Sequence, residues 1–573
     1  KLITTMTDIS IMDELKDIIS PIPKIFFQPT LENYITVLTT DSILRGMQNS
    51  IIIVGISLII GVFIGIPASY AIARYQPKGS NDLRFFYLSI RFMPPVAIAI
   101  PFIGIFLDIG MYRSFREIIE LLDSQGKLVR LTKPVNPRFE MPALMKTLED
   151  DAKAFIFENV QGSDYKAVGG LFTSMGRFGL IFNEDGNEDF TYEQAGQRVI
   201  NGIANPIPYN QVDSGPILEN VLTGSDIDLN SLPAPTFFEL DTGPFLTAAV
   251  GIFRKPNGEI NVGFYRCLIT DSQHLLINAS GLSDLRKAYV WHKENNKEMK
   301  VAMVLGAPPA LLMAAASKTP DDVSELDVAG GINGDSIDVI MGPDSGLPIP
   351  VDCEMAFETV VDLDNMVENT LGEFGAQYGT EHAPMCKVTS MLQRNDAMFY
   401  TLMAGRAKEH NTLGYLTVYG ITKGLEQKIR EAYTNVTNLA VHFDTKIGPL
   451  MHLVIAIKKS SDNEPARMIK ELFEMNMGFF NLAWMAKRII IVDDDVDPND
   501  MDDVEWATWT RMGRSEKLHA FQDFVTWEVD RAALPDGTSA RVGIDATKDM
   551  DYADDLVKPI IPNEEEVKLK DYI

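Results

Sequence analysis

From residue 112 onward the apolar positions switch between a helical and a strand period. FREIIELL (Phe115 to Leu122) repeats its apolar residues at helical spacing and predicts an amphipathic helix. LVRL (128 to 131) reads as a strand, and Asn136-Pro137 breaks the chain before a second helix around Met141 to Leu148. Between Gly251 and Thr270 two alternating runs flank Lys255-Pro256-Asn257-Gly258, where Pro presets φ and Gly accepts the unusual turn dihedral, predicting a β-hairpin. Its second strand carries Asn261, Gly263 and Arg266. Strict alternation puts Asn261 and Arg266 on opposite faces, so both reach one site only if the strand bends or bulges between them. Val301 to Pro350 alternates a strand, a small-residue helix and another strand. Ile489 to Val492 is a buried-type strand that ends in acids and precedes a helix bearing Trp506, Trp509 and Arg511.

The first 111 residues have another character. Gly46 to Ala73 contains SIIIVGISLIIGVFIGIPASYAIA without charge, which predicts a membrane span, and Phe92 to Leu107, with Pro94, Pro95 and Pro101, predicts a kinked span or re-entrant piece. Arg74, Lys78 and Arg84 lie between the two, placing that loop in the cytoplasm. PTLENYITVL, PASYAIARY and RFMPPVAIAIPF resemble the permease subunit of a sugar ABC importer over residues 22 to 111. The coupling loop of such permeases does not follow. Either the second segment does not cross or the join near Met111 is a fusion or assembly accident, and the abrupt change favours the accident. A membrane transport component is the competing reading of the whole chain.

At 573 residues the chain needs two to four domains. Lys plus Arg number 51 against 79 Asp plus Glu, a formal charge of -28, which argues against nucleic-acid or anionic-membrane binding as the main task. A small anionic substrate then needs a local basic pocket such as one built on Arg266. Cys267, Cys353 and Cys386 are widely spaced, suggest neither a disulfide frame nor a CxxC site, and fit a reducing cytoplasmic setting. Ala329 to Gly334 is Gly-rich but lacks the Lys-Ser/Thr of a phosphate loop. The histidines show no metalloprotease spacing, and His274 and His452 read as strand residues.

FREIIELLDSQGKLVRLTKPVNPRFE, AVGGLF (167 to 172), PILENVLTG (216 to 224), LPAP (232 to 235), DTGPFLT (241 to 247), the hairpin after it and the late strand, acidic turn and helix together resemble the UbiD family of prenylated-flavin decarboxylases. The resemblance implies an α/β (α+β) fold of three domains: an N-terminal α/β domain (112–215), a central split β-barrel holding the active site (216–418) and a C-terminal α/β domain with an oligomerisation tail (419–573), behind the membrane-helical segment 1–111. LQRNDAMFY (392 to 400) with Gly405 is expected to return to that barrel as a strand and loop.

The resemblance also implies prenylated FMN, its phosphate held through a divalent metal, usually manganese, with potassium nearby. By position the metal ligands are Asn261, Asp284 and Glu354, all oxygen donors of the kind hard cations prefer. Asp284 stands where the family commonly has His, and Ser283 or Asp284 could equally cap the helix that follows. Glu354, among Val351, Cys353 and Met355, needs a partner if buried. Phe264, Tyr265 and Ser283 complete the expected cofactor contacts, with Arg541 where the family often holds phosphate with Lys. Arg266 is expected to bind the substrate carboxylate beside the flavin. Where the family carries a Glu-Gly-Pro-Phe/Tyr-Gly-Glu/Asp loop, this chain has Leu371 and Ala376 at the acidic places. Glu373 becomes the nearest acid, similar to the hydroxyarylic, gallate-like branch, and is the expected proton donor, with Glu381 and His382 in reserve. The implied reaction is reversible, non-oxidative loss of CO2 from an aromatic, hydroxyaromatic or α,β-unsaturated acid by a homo-oligomer supplied by a flavin prenyltransferase. The two absent acids leave a catalytically impaired decarboxylase as a further reading.

Overall fold

The computed structural model describes residues 114–559 apart from 183–189, 282, 374–376, 404, 406, 443–449 and 478–480, together with Phe63, Tyr70 and Arg74. The chain divides into two compact units, Lys1–Gly104 and Ile105–Ile573. Both expected membrane segments and the permease-like stretch lie outside the described residues, those three excepted. Among the described residues no helix is long and apolar enough to cross a membrane.

The second unit opens with α1 (Phe115–Ser124), started by a capping box in which Ser114 and Glu117 satisfy each other's backbone N–H. There follow β1 (Leu128–Leu131), α2 (Glu140–Asp150), β2 (Ala154–Phe157), β3 (Lys166–Gly169), α3 (Met175–Ile181) and α4 (Tyr192–Ala204). β4 (Asn210–Gln211) to β10 (His274–Ile277) include β5 (Asn220–Thr223), β6 (Phe245–Leu246), β7 (Val250–Arg254), β8 (Ile260–Phe264) and β9 (Cys267–Ile269). Next come α5 (Asp284–Glu294), β11 (Met299–Leu305), α6 (Pro309–Ala316), α7 (Glu325–Asn333), β12 (Asp338–Met341), β13 (Pro348–Pro350), the long pair β14 (Met355–Gly372) and β15 (Tyr378–Gln393), and β16 (Met398–Tyr400). After α8 (Lys408–Ala432) the chain builds β17 (Val436–His442), β18 (Met451–Ile457), α9 (Glu464–Phe473), β19 (Ala486–Asp493), α10 (Met501–Arg511), β20 (Leu518–Val525) and β21 (Thr538–Ala546).

The central sheet runs β6-β9-β10-β15-β14-β11-β7-β8, with β5 on β15. β8 and β9 stand six strand steps apart on this path, roughly 29 Å if flat, yet only Tyr265 and Arg266 separate them in sequence. Three peptide steps span at most about 11 Å. The sheet therefore curls until its ends meet, which is the split barrel the resemblance implies. The predicted hairpin is β7–β8: Gly258 closes the turn at φ 96° and its N–H donates to the Lys255 carbonyl.

β16 departs from expectation. It pairs in parallel with β3 and completes the sheet β1-β2-β3-β16 of the N-terminal layer rather than returning to the barrel. Phe399 and Tyr400, both fully buried, fill the core between that sheet and α1, with Tyr400 packed 5.1 Å from the Phe115 ring.

The C-terminal sheet, β17-β18-β19-β21-β20, has a parallel centre and antiparallel edges. α8 joins the two cores. Leu413 and Leu416 belong to the first core and Val418, Leu425 and Ile429 to the second, so one helix fixes the C-terminal domain to the barrel. It runs unbroken through the expected boundary at 418. Its approach to α4 depends on Gly196, where a Cβ would collide with the Tyr419 ring.

Candidate active site

A cavity of about 460 Å³ opens where the barrel, α8 and the loop after β20 meet. That volume suits a small ligand or part of a cofactor. Tyr265 and Arg266 enter it because β8 leaves its partner β7 and the chain resumes as β9 against β10 and β6. The change of partner is the break in alternation that Asn261 and Arg266 require.

Arg266 reaches the end of the β14–β15 hairpin. Its Nη1 donates to the Gly372 carbonyl at 2.6 Å and its Nη2 to Glu373 Oε2 at 2.6 Å. The hairpin end is positioned by Asp241 of the DTGPFLT stretch, whose Oδ1 accepts from Gly372 N (2.9 Å) while Oδ2 accepts from Phe237 N and Phe238 N. Burial pushes the Asp241 carboxyl up from its ordinary range, and the three backbone donors and Arg266 oppose that. Thr247, further along the stretch, lines the cavity and donates to the Leu402 carbonyl at 2.7 Å. The Glu373 N–H donates to Gln377 O at 2.7 Å.

Glu381 and His410 join Glu373 at the cavity wall, and sequence spacing pointed to His410 not at all. Burial, reinforced by the charge of Arg266, lowers His410 to about 4, so it is a neutral imidazole at neutral pH. Its position follows from α8, whose first turns face the barrel. His382, the other reserve acid-base group, points away and pairs with Glu368 at 3.4 Å on an exposed surface. Leu371, at one of the expected acidic places, is buried. Ala376 lies outside the described residues.

Beside the cavity, Asn261 Nδ2 donates to both oxygens of Glu325, at 3.2 and 3.1 Å, and Val262 N donates to Glu325 Oε2 at 2.8 Å. Thr319 adds a short hydroxyl bond to Oε1. The Tyr265 hydroxyl lies 3.5 Å from Asn261 Oδ1, and its phenol is pushed up by burial first and then by the charges of Asp284 and Glu325. Asn261, Glu325 and Asp284 thus share one neighbourhood. Glu325 is buried with neutral hydrogen-bond donors, and burial raises its carboxyl above the ordinary range. A buried carboxylate so placed is stabilised by a nearby cation, and the oxygen donor set fits a hard one. Among the described residues no group of three His, Cys, Asp or Glu could hold a metal, so an amide oxygen must complete any such set. Sequence reasoning missed Glu325 because it opens α7 just after the N-cap Ser324, where an acidic residue is explained by the helix start alone.

Two expected site residues are not brought here. Glu354 is fully buried, but its partner is Arg116 of α1, in a bidentate pair at 2.7 and 2.8 Å, with Met398 N donating at 2.9 Å. Burial did demand a partner, and a guanidinium provides it; Glu354 does not line the cavity. Glu354→Ala is expected to cost about 3 kcal/mol of unfolding free energy by leaving Arg116 without its carboxylate, while the metal content of the purified protein stays unchanged. Arg541 is fully buried behind the cavity, donating to Ala483 O at 2.6 Å and Ala540 O at 2.9 Å, 3.8 Å from Asp530. Its Nε and Nη1 are thus bonded to backbone carbonyls, Nη2 is left without a hydrogen-bond partner among the described residues, and the residue does not line the cavity. Asp284 opens α5 and pairs with Lys287 at 2.7 Å, while Ser283 caps the helix by accepting from Arg286 N and also faces the cavity. Phe264 lines it as expected.

Three family models match the chain consecutively, all named for 3-octaprenyl-4-hydroxybenzoate carboxy-lyase: its N-terminal domain at residues 119–197, its Rift-related domain at 210–407 and its C-terminal domain at 421–546. Among solved structures, the UbiD-class enzyme HmfF from Pelotomaculum thermopropionicum in complex with FMN is 27% identical, with 80% of this chain and 100% of that one covered and a TM-score of 0.69. An evolved dimeric form of HmfF in complex with prFMN matches at 27% identity, 80% and 100% coverage and a TM-score of 0.65. Klebsiella pneumoniae 3,4-dihydroxybenzoic acid decarboxylase shares the fold at 20% identity, with 80% and 99% covered and a TM-score of 0.67.

Proposed function

The chain belongs to the UbiD family and is a UbiD-type decarboxylase, and from that premise we propose that Arg266 holds the carboxylate to be lost while Glu373 delivers the proton that replaces it. The observation that carries this reading is the 2.6 Å contact between Arg266 and Glu373 at the wall of the cavity. A guanidinium offers two parallel donors to a carboxylate, so it orients the scissile bond as well as neutralising charge. Glu373 stands within reach of the same point, which suits a group that protonates the carbon as CO2 departs. Its place beside Arg266 speaks for an intact site despite Leu371.

Prenylated FMN, when bound, supplies the electrophilic centre that accepts the electron pair left by CO2, a task no side chain performs well. Asn261, Glu325 and Asp284 would hold the divalent cation, manganese by family precedent with potassium beside it, that anchors the cofactor phosphate. Phe264, Tyr265 and Ser283, at the start of α5, line the cavity and would contact the flavin. The substrate is an aromatic, hydroxyaromatic or α,β-unsaturated acid. Phe264, Leu402 and Leu413 supply apolar surface for such a planar body, beside the neutral imidazole of His410. A homo-oligomer in a reducing cytoplasm, loaded by a flavin prenyltransferase, fits three buried free thiols and the HmfF precedent.

The test is co-expression with a flavin prenyltransferase, purification, an absorption spectrum for bound flavin, and CO2 release from a panel of aryl and acrylic acids. Release confined to flavin-loaded protein is expected; a loaded protein inert toward the panel and toward carboxyl exchange contradicts the reading. Glu325→Gln is expected to lower bound divalent metal and retained flavin by about tenfold or more, with far-UV circular dichroism unchanged. Equal metal and flavin in wild type and variant would remove Glu325 from the cation site.

A further inference from the structure

Arg531 lies in the turn after β20 and reaches the barrel from the C-terminal domain. Its Nη2 stands 3.3 Å from Glu373 Oε1 and 3.5 Å from Glu381 Oε1. Glu373 is thus gripped from two sides, by Arg266 on Oε2 and by Arg531 on Oε1. The approach requires Gly379, where a Cβ would collide with both Arg531 Nη2 and the Glu373 side chain.

The turn that presents Arg531 is fixed to its own domain. Asp530 accepts from Lys487 Nζ at 2.7 Å and from Thr526 Oγ1 at 3.2 Å, with Arg541 3.8 Å away, and Trp527 stacks on Trp484 with ring centroids 5.5 Å apart. Arg541 thus stands next to this turn rather than in the cavity. Glu528 makes a second crossing contact, accepting from Gly281 N at 3.3 Å. A rigid turn on one domain thus touches a catalytic carboxylate on another.

We propose that Arg531 is a positioning residue for the decarboxylation, holding the Glu373 carboxylate in register with Arg266 so that the proton donor is in place when the C-terminal domain is seated on the barrel. This rests on the reading of Glu373 as donor. The charged and titratable groups around Glu373 are Arg266, Glu381 on β15, His410 on α8, Asp241 beneath Gly372, and Glu528 and Arg531 on the C-terminal turn. Two cations face several acids there. Burial and the charge of Glu373 push Glu381 up, and Arg531 and Arg266 pull it down. Removing Arg531 takes away one of the two cations, so protonation of the carboxylate cluster moves to higher pH.

The experiment compares flavin-loaded full-length wild type with Arg531→Ala, Arg531→Lys, Glu373→Gln and the Glu373→Gln/Arg531→Ala double variant. Arg531→Ala is expected to lower kcat about tenfold to a hundredfold with KM within about threefold, and to move the carboxylate limb of the kcat profile up by about one pH unit. Amide hydrogen exchange across residues 371–381 should accelerate in Arg531→Ala, and Arg531→Lys should recover most of both kcat and profile. In the double variant Arg531→Ala should add little to the loss from Glu373→Gln, since one residue acts through the other. Wild-type kcat and pH profile in Arg531→Ala, a loss confined to KM, or fully additive losses in the double variant would each overturn the proposal. Wild-type turnover in the Glu373→Gln single variant is a separate result and would refute the donor reading itself.

Discussion

Arg266→Ala in the flavin-loaded enzyme is expected to lower kcat/KM about a thousandfold. The side chain makes two short bonds with the hairpin end and leaves its remaining face to the cavity. Charge-assisted bonds contribute about 1.5 to 3 kcal/mol each, and loss of two bonds to a bound carboxylate corresponds to about 4 kcal/mol, or three powers of ten. Disorder in the turn at Glu373 adds to the effect. Arg266→Lys keeps the charge and loses the fork, so it should recover only part of the rate. Steady-state kinetics on protein matched for flavin content by absorbance checks both variants. A drop of less than about fivefold in Arg266→Ala would exclude this residue as the carboxylate holder.

Glu373→Gln is the second large expectation. A positioned general acid contributes about two to four powers of ten, and the amide keeps size and hydrogen bonding while removing the proton, so kcat should fall by about that factor with KM little changed. Glu381 provides the internal control. It lines the same cavity and stands 3.5 Å from Arg531 Nη2, and Glu381→Gln should cost far less. The reverse ranking would transfer the donor role to Glu381. The Gln variant retains the backbone N–H bond from position 373 to the Gln377 carbonyl, so a folding defect is not the expected cause of its loss.

Much of the fold was legible because the local signals agree with the tertiary structure. The amphipathic helix from Phe115, the Pro-Asn-Gly turn at 256 to 258 and the buried strand before Asp493 each follow from residue chemistry at short range. The return of β16 to the N-terminal sheet was not legible, since nothing in Met398–Tyr400 distinguishes a parallel partner at β3 from a barrel neighbour. The site divides in the same way. Arg266 stood out as a fork of donors on the hairpin's second strand, Glu373 came only with the family resemblance, and the odd spacing of Asn261 and Arg266 called for a bend that the structure has between β8 and β9.

Glu354, expected among the metal ligands, is paired away from the cavity for a physical reason. Glu325 and Glu354, both buried, each needed a partner, and the sequence around Glu354 advertised its burial more strongly. Its partner comes from Arg116, 238 residues away, a contact no local pattern announces. Glu325 was hidden behind its role at a helix start. His410, Glu528 and Arg531 were invisible for the same cause: each reaches the cavity from an element whose placement depends on α8 bridging two cores.

Carboxyl exchange tests the central claim most directly, because it reports on bond cleavage at the cavity without requiring net turnover. Flavin-loaded wild type and Arg266→Ala, incubated with an acid that the wild type consumes and with 13C-bicarbonate, are compared by mass spectrometry of the recovered acid. Label entering the acid with wild type and not with Arg266→Ala is the predicted result; equal labelling by both proteins would contradict the assignment of this cavity as the place where CO2 is lost.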